Sequence, residues 1–353
     1  MTERSMTDTR VRAGVAAGRS LAPGFVLSAV VAVVAMMSAP YVARVVPIPA
    51  MVIALIIGIA FNSVAERSTF RPGIVFCIKT LLRWAVALLG LRIAIGEIIA
   101  LGFATVVVVV VSMALTIVAG FLLARLFGQN AYYGALAGAG TAVCGASATL
   151  ATSTVLPQYE GKEADIAFVV VAVNALSTVA MVVYPLLCTA LGFSPQVTGV
   201  MLGATIHDVA QVVGAGYAVS NDVGNTAVIV KLLRVFLLLP VVLGIGYWFV
   251  GTAGGTGKQA AKVPVPVFAF VFLALCILNS IVPSIAPLAP GYAWARGWLI
   301  DFSTWGLLIA ISALGLGTSV AAIGRLGWRH VATVTGTTMV ILVVVTAALV
   351  IMR

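Results

Sequence analysis

The sequence predicts an all-α membrane protein of about eleven transmembrane helices, one extra at the N-terminus and then two inverted five-helix repeats with two crossing broken helices. Three observations predict it. Of the 353 residues, 62% are hydrophobic and 8% charged, and mean hydropathy is +1.18, a balance that a soluble core with a hydrated surface cannot have. Apolar runs long enough to cross about 30 Å of hydrocarbon follow one another with short connections, which leaves no room for a large soluble domain. Finally, one charged phrase recurs in two separate runs, as Lys79, Leu81, Leu82 and Arg83 and again as Lys231, Leu232, Leu233 and Arg234.

Residues 1–20 are polar, basic and without hydrophobic periodicity, so a disordered cytoplasmic leader is expected there, followed by a single transmembrane transporter domain over 21–353. The extra helix falls near 22–40. A cleaved signal peptide is the rival reading, but the run after Leu21 is long for one and the residues before Arg44 make a poor cleavage site, so the helix is expected to be retained. The first repeat spans 47–190, with helices near 47–63, 72–92, 98–126, 131–155 and 164–190. The second spans 195–351, with helices near 195–218, 223–250, 264–284, 298–321 and 328–351.

The formal charge of +10 would suggest nucleic acid in a soluble protein. Here Lys and Arg sit mostly in short loops, where they report topology instead. Arg4, Arg10, Arg12, Arg19, Arg67, Arg71, Arg125, Lys258, Lys262, Arg325 and Arg329 fall on one side, against Arg44, Arg92, Lys162, Arg296 and Arg353 on the other. That bias puts the N-terminus in the cytoplasm and the C-terminus outside. Cys77, Cys144, Cys188 and Cys276 all lie in apolar segments without CxxC spacing, so buried, reduced thiols are expected, with no disulfide, metal site or cofactor.

Arg83 and Arg234 carry the functional expectation. An ionised group deep in hydrocarbon costs several kcal/mol unless it is paired or lines a polar cavity. At ~1.5 Å per residue Arg83 lies roughly 16 Å in from Pro72, and Arg234 is similarly deep from the other face. Both are expected to flank one central cavity as counter-charges, with Lys79 and Lys231 as secondary basic groups; locking helices through carbonyls or a carboxylate is the alternative.

The run 131–155 carries Gly134, Gly138, Gly140, Thr141, Cys144, Gly145 and Ser147, a density of small residues that predicts a break near Thr141 to Gly145. Such a break frees N–H groups that favour an anion, whereas close helix packing through Gly134 and Gly138 is the bland alternative. Gly317, Thr318 and Ser319 in the run 298–321 match Gly145, Ala146 and Ser147, with Gly306 and Gly134 equally placed upstream, so the fifth and tenth helices are expected to break as a pair. His207, Asp208 and Gln211 make the strongest other polar cluster. A histidine beside a carboxylate can titrate near neutrality, which points to proton coupling; simple interhelical hydrogen bonding explains it equally well. Asn174, Ser177 and Thr178 form a weaker stripe that could line the cavity, and His330 is expected to be merely solvated.

The phrases around Leu91 and Arg92, from Thr141 through Cys144 to Ala148, from Thr178 to Pro185, and from Ile206 through His207, Asp208 and Gln211 to Gly216 resemble the YeiH-like bacterial membrane proteins, commonly labelled sulfate exporters. The resemblance covers about residues 22–350 and departs from the usual pattern between Asn174 and Ser177, where a phenylalanine and a glycine are expected nearby. It implies an inner-membrane carrier related in fold to bile-acid and sodium–proton antiporter families, with two broken helices crossing at the substrate site. The leading expectation is thus an exporter or exchanger of sulfate, sulfite or a small organosulfonate, with protons or sodium as coupling ion, the lipid bilayer as environment, no nucleic-acid partner, and a homodimer as an open option. A cation–proton antiporter is the first rival, with Asp208 as its one midplane carboxylate. An intramembrane enzyme using Ser147 or Cys144 with His207 is the second; it lacks a Gly-x-Ser-x-Gly context and a third triad member.

Overall fold

The computed structural model describes residues 3–42, 50–253, 267–285, 289–318 and 327–352. The described residues are overwhelmingly helical, and seven helices are long and apolar enough to cross a bilayer. In chain order the elements are α1 (Glu3–Val42), α2 (Ala50–Ala60), α3 (Arg71–Arg92), α4 (Gly102–Leu126), α5 (Ala131–Ala142), α6 (Ala146–Val155), α7 (Lys162–Ala190), α8 (Pro195–Thr205), α9 (Val209–Val219), α10 (Asn221–Phe236), α11 (Leu238–Ala253), α12 (Val267–Ile281), α13 (Ala289–Leu316) and α14 (Trp328–Ile351). Because α1 starts at Glu3, the expected disordered leader is instead helical from that residue on. Ala, Arg and Met are strong helix formers, and no proline intervenes before Pro23.

The chain divides into two compact units, one of Met1–Leu89 with Pro290–Val320 and one of Gly90–Ala289 with Ala321–Arg353. In the first, glycines let backbones touch. A Cβ on Gly24 would lie 2.0 Å from the Phe70 carbonyl oxygen, and one on Gly315 would lie 2.4 Å from that of Leu55. Asn62 Nδ2 donates to the Leu316 carbonyl at 2.8 Å and so caps α13. The helix is continuous through Gly306 and ends at Leu316, within the interval Gly315 to Ser319 where a break is expected; Ser319 lies outside the described residues.

In the second unit the run 131–155 breaks where glycine density predicts, but it does not cross. Asn130 caps α5 by accepting from the Tyr133 N–H at 2.7 Å. After Ala142 the chain turns through Gly145 at φ +66, ψ −127, a conformation that glycine alone adopts without strain. α6 then returns alongside α5: Tyr132 at the entrance stacks on Tyr159 after the exit, ring centroids 4.8 Å apart. Had the helix continued, about 27 residues at 1.5 Å would put those rings roughly 40 Å apart.

The run 195–218 does the same, which the sequence reading did not anticipate. Ser194 and Pro195 start α8, the chain opens at Ile206 to Asp208, and Asp208 caps α9 by accepting from the Val209 N–H at 2.8 Å. A Cβ on Gly199 of α8 would lie 2.5 Å from Thr226 Cβ, and one on Gly216 of α9 would lie 2.8 Å from Gly224 Cα. Both outer ends therefore meet the start of α10, so α8 and α9 are antiparallel. Each of the four half-helices is about half a bilayer long.

The two hairpins enter from opposite ends of α7. Asp165, in its first turn, faces His330 and Tyr159 beside the base of the first hairpin, whereas Cys188, near its last turn, touches Met201 of the second at 3.3 Å. All four cysteines are buried and free.

Candidate functional site

The hairpin tips meet about halfway along α7, where an added Cβ on Gly145 would lie 3.8 Å from Asp208 Cβ. A helix that stops inside a membrane leaves its last carbonyls without partners and its negative dipole end without solvent. Two buried cations of α10 meet that need. Lys231 Nζ donates to the carbonyls of Val143 at 2.7 Å and Ile206 at 3.0 Å, and also to that of His207. Arg234 donates to Ala142 at 2.9 Å, Thr141 at 2.7 Å, Gly203 at 3.0 Å and Ile206 at 2.9 Å. Both side chains are 0% exposed.

This corrects the expectation for Arg234 and Lys231. Their charge is directed at the C-terminal turns of α5 and α8, which leaves Arg234 enclosed by protein carbonyls rather than lining a chamber. Arg83 and Lys79 differ. They lie on α3 in the other unit, next to and within a π-helical stretch at Cys77–Leu81, and both are exposed.

Around the tips, Thr337 and Thr338 of α14 and Ser177 and Thr178 of α7 supply further polar contacts. Thr337 donates to the Val334 carbonyl at 2.8 Å, so its 2.9 Å contact with Thr141 has Thr141 as donor. Likewise Thr338 donates to Val334 at 2.8 Å and accepts from His207 Nε2 at 2.9 Å. With the Thr338 hydroxyl hydrogen directed at Val334, the hydrogen of this contact is assigned to His207 Nε2, and Nδ1 has no hydrogen-bond partner among the described residues. Asp208 donates its backbone N–H to Ser177 Oγ at 3.1 Å. Gln211 Nε2 approaches Thr178 Oγ1 at 3.5 Å, and Thr178 in turn donates to the Asn174 carbonyl at 2.9 Å.

Thr141, Cys144, Gly145, Asn174, His207, Asp208 and Gln211 are thus gathered at or beside the tips, with Ser147 exposed on the first turn of α6. His207 is in the break before α9, so despite the i, i+4 spacing it does not share a helical face with Gln211. Gly317 and Thr318 sit at the end of α13 in the other unit, where Thr318 donates to Leu314 at 2.7 Å. Within its own unit, the first break meets the second hairpin. Thr337 and Thr338 were not anticipated; beside Gly336 in an apolar run they carry no stronger signal than ordinary helix packing. His330 is not merely solvated either: it stands 3.4 Å from Asp165 and packs between Tyr133 and Phe168.

Comparison with known proteins fits this membrane architecture. A family model described as conserved hypothetical protein 698 matches residues 23–334. The chain belongs to that family. Among its relatives, the UPF0324 membrane protein TauZ of Paracoccus pantotrophus is 42% identical over 330 residues, 93% of this chain and 94% of its own. The UPF0324 membrane protein TauZ of Paracoccus denitrificans is 41% identical over 93% of this chain and 94% of its own. The UPF0324 inner membrane protein YeiH of Escherichia coli K12 is 32% identical over 86% of each chain. No solved structure matches the chain. Like the relatives so named, this member of the conserved hypothetical 698 family is a multi-pass membrane protein.

Proposed function

We propose that this chain is a secondary transporter that exports or exchanges a small anion across the bacterial inner membrane, with sulfate, sulfite or a small organosulfonate as the substrate class. The observation that carries the reading is the meeting of two re-entrant hairpins from opposite faces at half depth. Irregular backbone at that level is tolerated where it serves a path, and a site reached by one hairpin from each side suits alternating access. In this reading the inverted element is the hairpin itself.

Charge selects the anion. At the tips Lys231 and Arg234 outweigh Asp208, while each break sets a positive helix end of about half a charge beside a negative one, so the balance is about one net positive charge. In the other unit, Arg83 and Lys79 are two cations on α3 that have no salt-bridge or hydrogen-bond partner among the described residues. A guanidinium facing lipid at that depth costs several kcal/mol, whereas one facing a water-filled route is a ready anion ligand. We assign Ser147, Asn174 and the N–H groups of α6 as substrate donors at the tips and, by itself in the other unit, Arg83 as an anion counter-charge with Lys79 as its auxiliary. A cation–proton antiporter would centre on Asp208. An enzyme is disfavoured because the His207 Nε2–H is engaged by Thr338 rather than by Ser147 or Cys144.

The first hairpin also returns Lys162 to the face that carries Arg125 and Arg329, strengthening the positive bias of that face, which we take as cytoplasmic together with the N-terminus. The test is uptake of labelled sulfate, sulfite and taurine into proteoliposomes under imposed proton or sodium gradients, with Arg83→Ala beside the parent. Anion uptake lost in the variant is expected. Sodium or lithium exchange without anion uptake would hand the site to the antiporter reading.

A further inference from the structure

The chain has two histidines, and they stand in opposite surroundings. His207 is 0% exposed, beside two buried cations, with its hydrogen fixed on Nε2 by Thr338. His330 opens α14 with its side chain 37% exposed and Nε2 3.4 Å from Asp165 Oδ1, itself 14% exposed. The pair is tied into both ends of the first hairpin. From the entrance, the Tyr133 hydroxyl donates to the His330 carbonyl at 3.0 Å, and the Tyr133 ring meets the imidazole edge-on at 4.8 Å. From the exit, the Tyr159 hydroxyl donates to Asp165 Oδ2 at 3.1 Å, and its ring stacks on Tyr132.

Resting on the transport reading above, we propose that His330 and Asp165 form a proton-binding clasp that closes the base of the first hairpin, and that the coupling proton acts there rather than at His207. The proton comes from water at that face onto the imidazole, and no other bond changes. Imidazolium then pairs with the carboxylate, pulling the start of α14 toward that of α7 with both hairpin ends between them. A neutral imidazole gives up the ionic part of that contact. Among the described residues, the titratable groups facing the pair are Tyr133 from α5 and Tyr159 from the hairpin exit. On the helices that bear it stand Lys162 and Glu163 in the first turn of α7 and Arg329 beside His330. Lys162 is held away by donating to the Leu156 carbonyl at 3.0 Å. The clasp therefore tightens when the imidazole takes up a proton and loosens when it gives it up.

The test is amide hydrogen exchange on the full chain in lipid nanodiscs, compared as protection factors at pH 6 and pH 8 for residues 131–162, with α4 as the internal control. The parent should lose roughly two- to fivefold protection in that segment on going to pH 8, the scale of one partly exposed ion pair. His330→Gln and Asp165→Asn should each show the low value at both pH values, with α4 unchanged. Tyr159→Phe, which keeps both charges, should retain the pH step and lower its base, and it serves if either charge variant proves poorly folded. A flat parent profile, or a step retained in every folded charge variant, overturns the clasp. Proteoliposome uptake separates the two ideas. No anion uptake by a parent that shows the step removes transport and leaves the clasp, whereas parent-like pH dependence of uptake in His330→Gln removes the coupling role and leaves transport.

Discussion

The two lysine–arginine phrases look like copies and end in opposite situations. On α10, Lys231 and Arg234 are three residues apart, fully buried, and aimed at six carbonyls left open by two broken helices. On α3, Lys79 and Arg83 are four apart and exposed, in the middle of a span with no partner among the described residues. Depth alone therefore does not make a buried charge a ligand for substrate. What decides is whether the protein itself presents unsatisfied backbone at the same level, and only the α10 pair meets such backbone.

The comparison is broken most directly at Arg234. Arg234→Ala removes four hydrogen bonds and leaves two helix ends uncapped in a dry interior, so a loss of about 3–5 kcal/mol is expected. Thermal unfolding in detergent and the monodisperse fraction after purification would measure it; a variant as stable as the parent would show that the carbonyls find other donors. Arg83→Ala should do the reverse. With no protein partner to abandon, it should unfold with the parent, while anion uptake falls about ten- to hundredfold, the worth of one charge-assisted contact. A destabilised Arg83→Ala with unchanged uptake would make the two pairs alike after all.

The membrane class, most helix positions and the first break were legible in the sequence because composition, run length and glycine density report them directly. Re-entrance was not. Residues 131–155 are long enough to cross a bilayer, and hydropathy carries no sign of direction; the only hint is aromatic, Tyr132 and Tyr159 near the two ends of that run. In 195–218 the break was hidden by the chemistry that marks it. Asp208 before Val209 is an ordinary helix N-cap, yet beside His207 it reads as a proton pair. In the tenth helix, Gly315 packs closely on Leu55 and Gly58, a use of small residues that needs no ligand and that sequence alone does not separate from a break. Arginine partners could not be read at all, because carbonyls have no sequence identity.

Two smaller changes sharpen the picture of the tips. Gly145→Ala adds a methyl with no neighbour closer than 3.8 Å, so only backbone strain at φ +66, ψ −127 opposes it. A loss of about 1–3 kcal/mol in thermal stability is expected. No loss would mean that the turn can relax toward a conformation open to any residue, and that the tip is less fixed than its contacts imply.

Thr338→Val should have the smallest effect. The substitution keeps volume and removes the acceptor that holds the hydrogen on His207 Nε2. If nothing else moved, a buried N–H would be orphaned, and shifting the hydrogen to Nδ1, which has no partner among the described residues, only moves the orphan to the other nitrogen. The cost should therefore be that of one neutral buried donor left unpaired, about 1–2 kcal/mol. Nitrogen NMR of labelled histidine separates the cases: the parent should show the Nε2–H form for its buried ring, and the variant should lose that preference. A buried ring that keeps Nε2–H without Thr338 would mean that another acceptor sets the tautomer, and that α14 is not what positions His207.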